Sequence, residues 1–103
     1  MAYVIEYKTK AYPYHYVFAE KNGKFESFDS IVKARKKAIA YTDGPALLCV
    51  IRGGTEQLVY RTTHGGYVLE NRDTDKWYVL KKDGSLGQTI KNPKNLDLIR
   101  SAW

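Results

Sequence analysis

The sequence predicts an α+β fold, in which antiparallel hairpins form one curved sheet or two small ones and two helices cover the apolar faces. Short segments of alternating apolar and polar residues are separated by turn residues. The clearest turn is Asn22-Gly23, which readily adopts the positive φ angles of a two-residue hairpin loop. Two other segments, near 29–42 and 93–102, place apolar residues three and four positions apart, as on one helix face. The predicted element order is βββα-ββ-βββα.

The first predicted unit contains three strands and a helix. The strands are predicted at 3–8, 14–19 and 24–28. The helix begins at an Asp29 or Ser30 cap. It ends at Asp43-Gly44-Pro45, because glycine suits the position after the last turn and proline prevents continuation. Its buried stripe consists of Ile31, Ala34, Ala38 and Tyr41.

The rest of the chain supplies five more strands and the second helix. These strands are predicted at 46–52, 57–61, 67–71, 76–81 and 86–90. Residues 46–52 are apolar on both faces, so we expect an interior strand in which Cys49 is an ordinary core residue. The second helix begins at Asn92-Pro93, because proline is favoured at the first helical position. Its buried residues are predicted to be Leu96, Ile99 and Trp103.

The 103 residues correspond to one domain, 1–103. Similar segments in its two halves raise the question of an internal duplication. Residues 3–6 (Tyr-Val-Ile-Glu) match 67–70 (Tyr-Val-Leu-Glu), and a Lys-Asn-Gly turn at 21–23 matches Lys-Asp-Gly at 82–84. These matches indicate a degenerate duplication of a βββα unit, 3–42 and 67–102. The alternative is that hairpins resemble one another, since strands favour Tyr and Val and turns favour Asn-Gly or Asp-Gly.

Composition bounds the environment and the class of partner. The net charge is +6 with a pI near 9.4, and nine residues are tyrosine, so polyanions and acidic protein surfaces are the expected partners. The longest apolar run, 45–51, is too short for a membrane helix. The N-terminus shows no secretory pattern, and a single cysteine permits no internal disulfide. We therefore expect a cytoplasmic protein without a membrane partner.

Residue types that carry chemistry are sparse. Two histidines, His15 and His64, together with Cys49 do not supply the spacing of a zinc site. The glycine pairs at 53–54 and 65–66 lack the continuation of a phosphate-binding loop and are typical of hairpin turns. A solvated hairpin tip is the interpretation of the acidic residues Glu70, Asp73 and Asp75. We expect a non-enzymatic binding protein with no metal and no cofactor.

Basic and aromatic residues are the remaining candidates. Lys33, Lys36 and Lys37 share the outer face of the first helix, where they can contact phosphates or form a solvated surface. Lysines on and beside the first strands are interleaved with tyrosines, a pattern typical of a base-stacking platform or of a protein-binding surface. The candidate nucleic-acid-binding residues are Lys8, Lys10, Tyr14, Tyr16, Lys24, Lys33, Lys36 and Lys37.

A resemblance to a known family covers residues 14–44. The segment 22–30 (Asn-Gly-Lys-Phe-Glu-Ser-Phe-Asp-Ser), followed by Ala34, Ala38 and Tyr41, carries it. This part resembles the three-stranded-sheet-plus-helix DNA-binding domains of tyrosine-recombinase arms and plant ethylene-response factors. In that family the sheet enters the major groove of DNA. The resemblance implies contacts from Lys8, Lys10, Tyr14, Tyr16, Lys24 and Glu26.

Two functional hypotheses follow. The first is a small nucleic-acid-binding accessory protein. The alternative is a small inhibitor or adaptor that binds a larger host protein, such as the anti-CRISPR or anti-restriction inhibitors of host nucleases that phages and mobile elements encode. The distribution of charge discriminates between them. One contiguous positive face favours nucleic acid, and positive charge scattered around an exposed tyrosine patch favours a protein partner.

Overall fold

The computed structural model describes residues 2–95, which form an α+β fold built on one large antiparallel sheet. Five strands precede the helix: β1 (Tyr3–Thr9), β2 (Tyr16–Phe18), β3 (Glu20–Lys21), β4 (Lys24–Phe25) and β5 (Ser27–Phe28). Helix α1 spans Ile31–Thr42. Five strands follow it: β6 (Ala46–Arg52), β7 (Glu56–Arg61), β8 (Tyr67–Asn71), β9 (Lys76–Leu80) and β10 (Leu86–Ile90). A 3₁₀ turn lies at Pro93–Asn95.

The large sheet has the order β10-β9-β8-β7-β6-β1-β2, with β5 also paired to β1. Strands β6 to β10 form a meander, because each short turn returns the chain beside the strand it has just left. Strand β1 pairs with the other edge of β6, placing Ile5 opposite Ile51 and Tyr7 opposite Cys49. The prediction that residues 46–52 form an interior strand is therefore confirmed, and six of the seven residues of β6 are buried.

Helix α1 packs on one side of the sheet, which we call the helix face. Ser30 caps the helix, and its Oγ accepts a hydrogen bond from the backbone N–H of Lys33 at 3.5 Å. Ala34 and Ala38 are fully buried, and their small side chains let the helix lie close to β6 and β7. The core on this face includes Cys49 and Val59, as the apolar pattern of residues 46–52 predicts for Cys49.

The C-terminal end of α1 is tied to the sheet by polar contacts. The Tyr67 hydroxyl donates to the carboxylate of Asp43 at 2.7 Å, and the Arg61 Nε lies 3.7 Å from the same carboxylate. The hydrogen bond to Asp43 raises the pKa of Tyr67, so its hydroxyl stays a donor at neutral pH. These contacts connect the helix end directly to β7 and β8.

The opposite side of the sheet, which we call the far face, carries a second apolar cluster. Alternation along the strands directs a separate set of side chains to it: Leu48, Val50, Leu58, Tyr60 and Val68. Trp77 and Ile90 pack against this cluster. Within residues 2–95 the one α-helix lies on the helix face, so the far face presents its apolar residues among strand side chains only.

The predicted element order is wrong before the helix, where β1 and four short strands replace the three predicted strands. The predicted strand at 14–19 ends at Ala19, which is buried and donates its N–H to the carbonyl of Ile5 at 2.8 Å. The Ala19 carbonyl accepts the N–H of Glu26 at 2.9 Å, which interrupts the predicted strand at 24–28. The Asn-Gly hairpin between them, β3–β4, therefore forms a separate two-stranded sheet.

The second predicted helix, near 93–102, is not confirmed. Only the 3₁₀ turn at Pro93–Asn95 is described there, and the remainder of that prediction lies outside the described residues. The first predicted helix, near 29–42, is confirmed as α1.

We expect Leu69→Ala to lower the free energy of unfolding by about 2–5 kcal/mol, because it empties a fully buried site in the helix-face core. The matched control is Val79→Ala on the adjacent strand, where the side chain is 42% exposed and the loss should be below about 1 kcal/mol. Urea titration followed by circular dichroism measures both. Equal losses would contradict the assignment of the core.

We expect Gly84→Ala to destabilise the fold more than Gly65→Ala. Both glycines have positive φ angles, +89° and +86°, so alanine is strained by about 1–2 kcal/mol at either. A Cβ at Gly84 would also lie 2.5 Å from the Val32 carbonyl oxygen of α1, whereas Gly65 has open space around it. In urea titrations, Gly84→Ala should therefore lower the free energy of unfolding by about 1–3 kcal/mol more than Gly65→Ala does. This difference measures how tightly the turn packs on the helix. No difference between the two variants would show that the turn does not press on α1.

Candidate functional site

Exposed aromatic rings are concentrated at one edge of the sheet. Within residues 2–95, seven large hydrophobic side chains are exposed, and five of them form the surface that we call the aromatic ridge: Tyr12, Tyr14, Tyr16, Phe18 and Phe25. The most exposed are Tyr12 at 85% and Phe25 at 63%. A contiguous exposed apolar surface on a small protein commonly marks a binding site.

Strand pairing explains why these rings lie together. Tyr16 and Phe18 are two positions apart on the edge strand β2, so both point to the far face. Phe18 contacts Phe25 with ring centroids 5.1 Å apart, which joins β2 to the β3–β4 hairpin. At the other end, Tyr12 and Tyr14 meet edge to face at 5.7 Å. The ridge therefore runs from the loop before β2 to strand β4 of the hairpin.

Lysines accompany the ridge along its length. Lys8 pairs with Tyr16 across β1 and β2, and its Nζ lies 6.0 Å from the centroid of the Tyr14 ring. Lys10 begins the loop that carries Tyr12 and Tyr14 and is exposed. Lys21 and Lys24 pair across the β3–β4 hairpin, directly beside Phe25. The strand group of sequence-predicted residues thus lies on or beside the ridge: Lys8 on β1, Lys10 and Tyr14 in the β1–β2 loop, Tyr16 on β2 and Lys24 on β4.

The helix group lies elsewhere. Lys33, Lys36 and Lys37 are exposed on the outer side of α1, whereas Tyr16 and Phe18 point to the far face of the sheet. The Lys33 Nζ contacts Asp29 at 3.2 Å, and this hydrogen bond lowers the pKa of the Asp29 carboxyl. The Lys37 Nζ lies 5.6 Å from the Tyr41 ring centroid. The positive charge of the candidate residues is therefore divided between two surfaces.

The far face contains a polar network that sequence reasoning missed. The Tyr60 hydroxyl donates to Glu70 Oε1 at 2.9 Å, and the Arg72 Nε lies 3.6 Å from the same oxygen. The Tyr60 ring stacks on Trp77 with centroids 5.3 Å apart. Burial and the charge of Glu70 raise the pKa of Tyr60 well above its usual value, so its hydroxyl remains a donor.

A cavity of about 220 Å³ lies beside this network, and we call it the far-face slot. Its lining residues are Lys8, Tyr16, Leu48, Leu58, Tyr60 and Arg72. They come from β1, β2, β6 and β7 and from the residue after β8, so only sheet register brings them together. No spacing in the sequence signals this set.

Side chains of the types that bind metals or transfer protons, such as His15 and Asp73, form hydrogen bonds within loops and turns. Within residues 2–95 no three His, Cys, Asp or Glu residues are arranged to hold a metal ion. The His15 Nδ1 lies 3.0 Å from the Pro13 carbonyl oxygen in the loop before β2. Asp73, in the β8–β9 turn, accepts hydrogen bonds from the Thr55 hydroxyl at 2.8 Å and the Glu56 N–H at 3.2 Å. These contacts fix turns, and the ridge and the slot remain the candidate binding features.

No helix in the described part of the chain combines the length and the apolar content needed to cross a bilayer. Comparison of the chain with protein-family models, with curated proteins and with solved structures gives no match in any of the three.

We expect Cys49 to be inert towards thiol reagents in the native state. The residue is fully buried, its Sγ donates to the Ala38 carbonyl oxygen at 3.5 Å, and burial raises the pKa of the thiol. Ellman's reagent should react only after urea is added. Rapid reaction of the folded protein would contradict this placement.

Proposed function

We propose that this chain is a small, non-enzymatic accessory protein that binds single-stranded nucleic acid along the aromatic ridge. The observation that supports the proposal is that five exposed aromatic rings lie beside four lysines of β1, the β1–β2 loop and the β3–β4 hairpin: Lys8, Lys10, Lys21 and Lys24. Rings and ammonium groups in alternation match the two parts of a nucleotide, because bases stack on rings and phosphates attract cations.

The shape of the ridge favours a single strand over a duplex. The ridge follows an edge strand of only three residues, Tyr16–Phe18, and a two-stranded hairpin. A narrow ligand can follow this path, whereas the lysines of α1 lie on the helix face. We therefore assign Lys33, Lys36 and Lys37 to the solvated surface of the helix. The proposed resemblance to three-stranded-sheet DNA-binding domains stays a prediction, and binding at the ridge does not depend on it.

A second candidate function is binding to a larger protein, as an inhibitor or adaptor. The division of positive charge between the ridge and the helix supports it, since positive charge scattered around exposed tyrosines is typical of a protein-binding surface. In that case the rings of Tyr12, Tyr14 and Tyr16 would contribute affinity through buried area, and the lysines would contribute little.

We expect two triple variants with the same change in net charge to behave differently. Replacing Lys10, Lys21 and Lys24 by glutamine should weaken binding of a fluorescein-labelled 15-nucleotide oligothymidylate. It should also flatten the logarithmic salt dependence by roughly 0.7 for each phosphate that a lysine no longer neutralises. Replacing Lys33, Lys36 and Lys37 should change the affinity less than about twofold, because these side chains lie away from the ridge. Fluorescence anisotropy at several salt concentrations measures both.

Tyr14→Ala should cost about 1–3 kcal/mol of binding free energy with little change in salt slope, because it removes stacking and no charge. Two outcomes would overturn the proposal. One is equal weakening by the two lysine triples, which would indicate non-specific attraction. The other is the absence of binding at about 150 mM salt, the condition at which specific contacts must outweigh screening. Affinity for a protein that depends on the ridge tyrosines and not on its lysines would favour the second candidate.

A further inference from the structure

We propose that the far-face slot accepts one nucleobase of a strand bound on the aromatic ridge, with the flanking phosphates held by Lys8 and Arg72. This inference rests on the proposed function, since it names the ligand group at a second part of the same surface. In the slot, one base of the bound strand would be enclosed by a pocket, whereas the other bases would lie on an open surface.

The floor of the slot suits a planar apolar group. Leu48 and Leu58 belong to the buried far-face cluster, and the stacked pair of Tyr60 and Trp77 adds a rigid aromatic part beside them. The volume of about 220 Å³ is below the roughly 300–1,000 Å³ of drug-sized ligand pockets. A cavity of this size and lining suits a single ring system.

Tyr16 connects the slot to the ridge. Its ring is about half exposed, it forms part of the ridge, and it also lines the slot. A strand that stacks on Tyr14 and Tyr16 therefore passes the entrance of the slot, because Tyr16 belongs to both surfaces. One base can leave the row of stacked bases and enter the slot without the strand leaving the ridge.

The charges around the slot match a base between two phosphates. Lys8 and Arg72 both line it, and the Arg72 side chain is 53% exposed. The Arg72 Nε lies 3.6 Å from Glu70 Oε1, and the guanidinium group carries further N–H donors on its other two nitrogens. Glu70 Oε1 also accepts a hydrogen bond from the Tyr60 hydroxyl. The carboxylate that holds Arg72 in position is therefore itself fixed by a hydrogen bond.

A neighbouring cavity of about 260 Å³ differs from the slot in the charge of its lining. It shares Tyr16, Leu58 and Arg72 with the slot, but it is also lined by the carboxylates of Glu6 and Glu56. Arg52 contacts both carboxylates, at 3.3 Å and 3.6 Å, so its charge is already matched. Phosphates are disfavoured beside those carboxylates, which directs the phosphates to the side of Lys8 and Arg72.

The experiment uses the full chain with leucine methyl groups labelled with ¹³C and the 15-nucleotide oligothymidylate as the probe. We expect the methyl signals of Leu48 and Leu58 to shift on titration, while inorganic phosphate alone leaves them unchanged. Arg72→Gln should weaken binding about tenfold, and Leu48→Phe, which fills the slot, should do the same. Lys76→Gln is the charge-matched control, because Lys76 is exposed on β9 and points to the helix face.

The outcomes separate the slot from the ridge. If the oligonucleotide binds the wild-type chain and Arg72→Gln with equal affinity, and the Leu48 and Leu58 signals stay in place, the slot proposal is overturned and binding at the ridge stands. If the wild-type chain binds no oligonucleotide, both proposals fail. Arg72→Gln keeps the test decisive if Leu48→Phe does not fold, because the exposed side chain of Arg72 can change without disturbing the apolar core.

Discussion

The burial of β6 on both faces is the constraint on which the rest of the structure depends. Its residues alternate between the helix-face core, with Cys49 and Ile51, and the far-face cluster, with Leu48 and Val50. A strand of this kind is stable only when it is paired at both edges and packed on both sides. Strand β7 provides one edge through a short turn, and β1 provides the other from the beginning of the chain. Helix α1 covers one side because Ala34 and Ala38 permit a close approach.

The pairing of β1 with β6 also determines where the aromatic ridge lies. Once β1 is fixed inside the sheet, its outer edge receives the short strands β2 and β5, and the edge of the sheet falls among tyrosines and phenylalanines. An exposed edge with apolar side chains favours association with other chains. Like charges repel, so the lysines on the ridge disfavour pairing of this edge with a second copy, and they suit the anionic ligand that we propose.

The polar network on the far face also depends on the register between strands. Glu70 and Tyr60 come into contact because β7 and β8 pair with Leu58 opposite Glu70 and Tyr60 opposite Val68. The stacking of Tyr60 on Trp77 extends this arrangement to β9. The far-face slot therefore lies next to the exposed ridge, and the two surfaces share the Tyr16 ring.

The sequence by itself determined the local elements. Turn residues and alternation located the strands from β6 to β10 within one residue, and cap and stripe residues located α1, because these signals depend on neighbouring residues. The concentration of lysine and tyrosine in residues 8–24 also pointed to the ridge.

The tertiary structure decided three other features: the break at Ala19, the separation of the helix lysines from the ridge, and the slot. Each depends on hydrogen bonds or strand register between residues far apart in the chain, such as Ala19 with Ile5, and no local pattern encodes those partners.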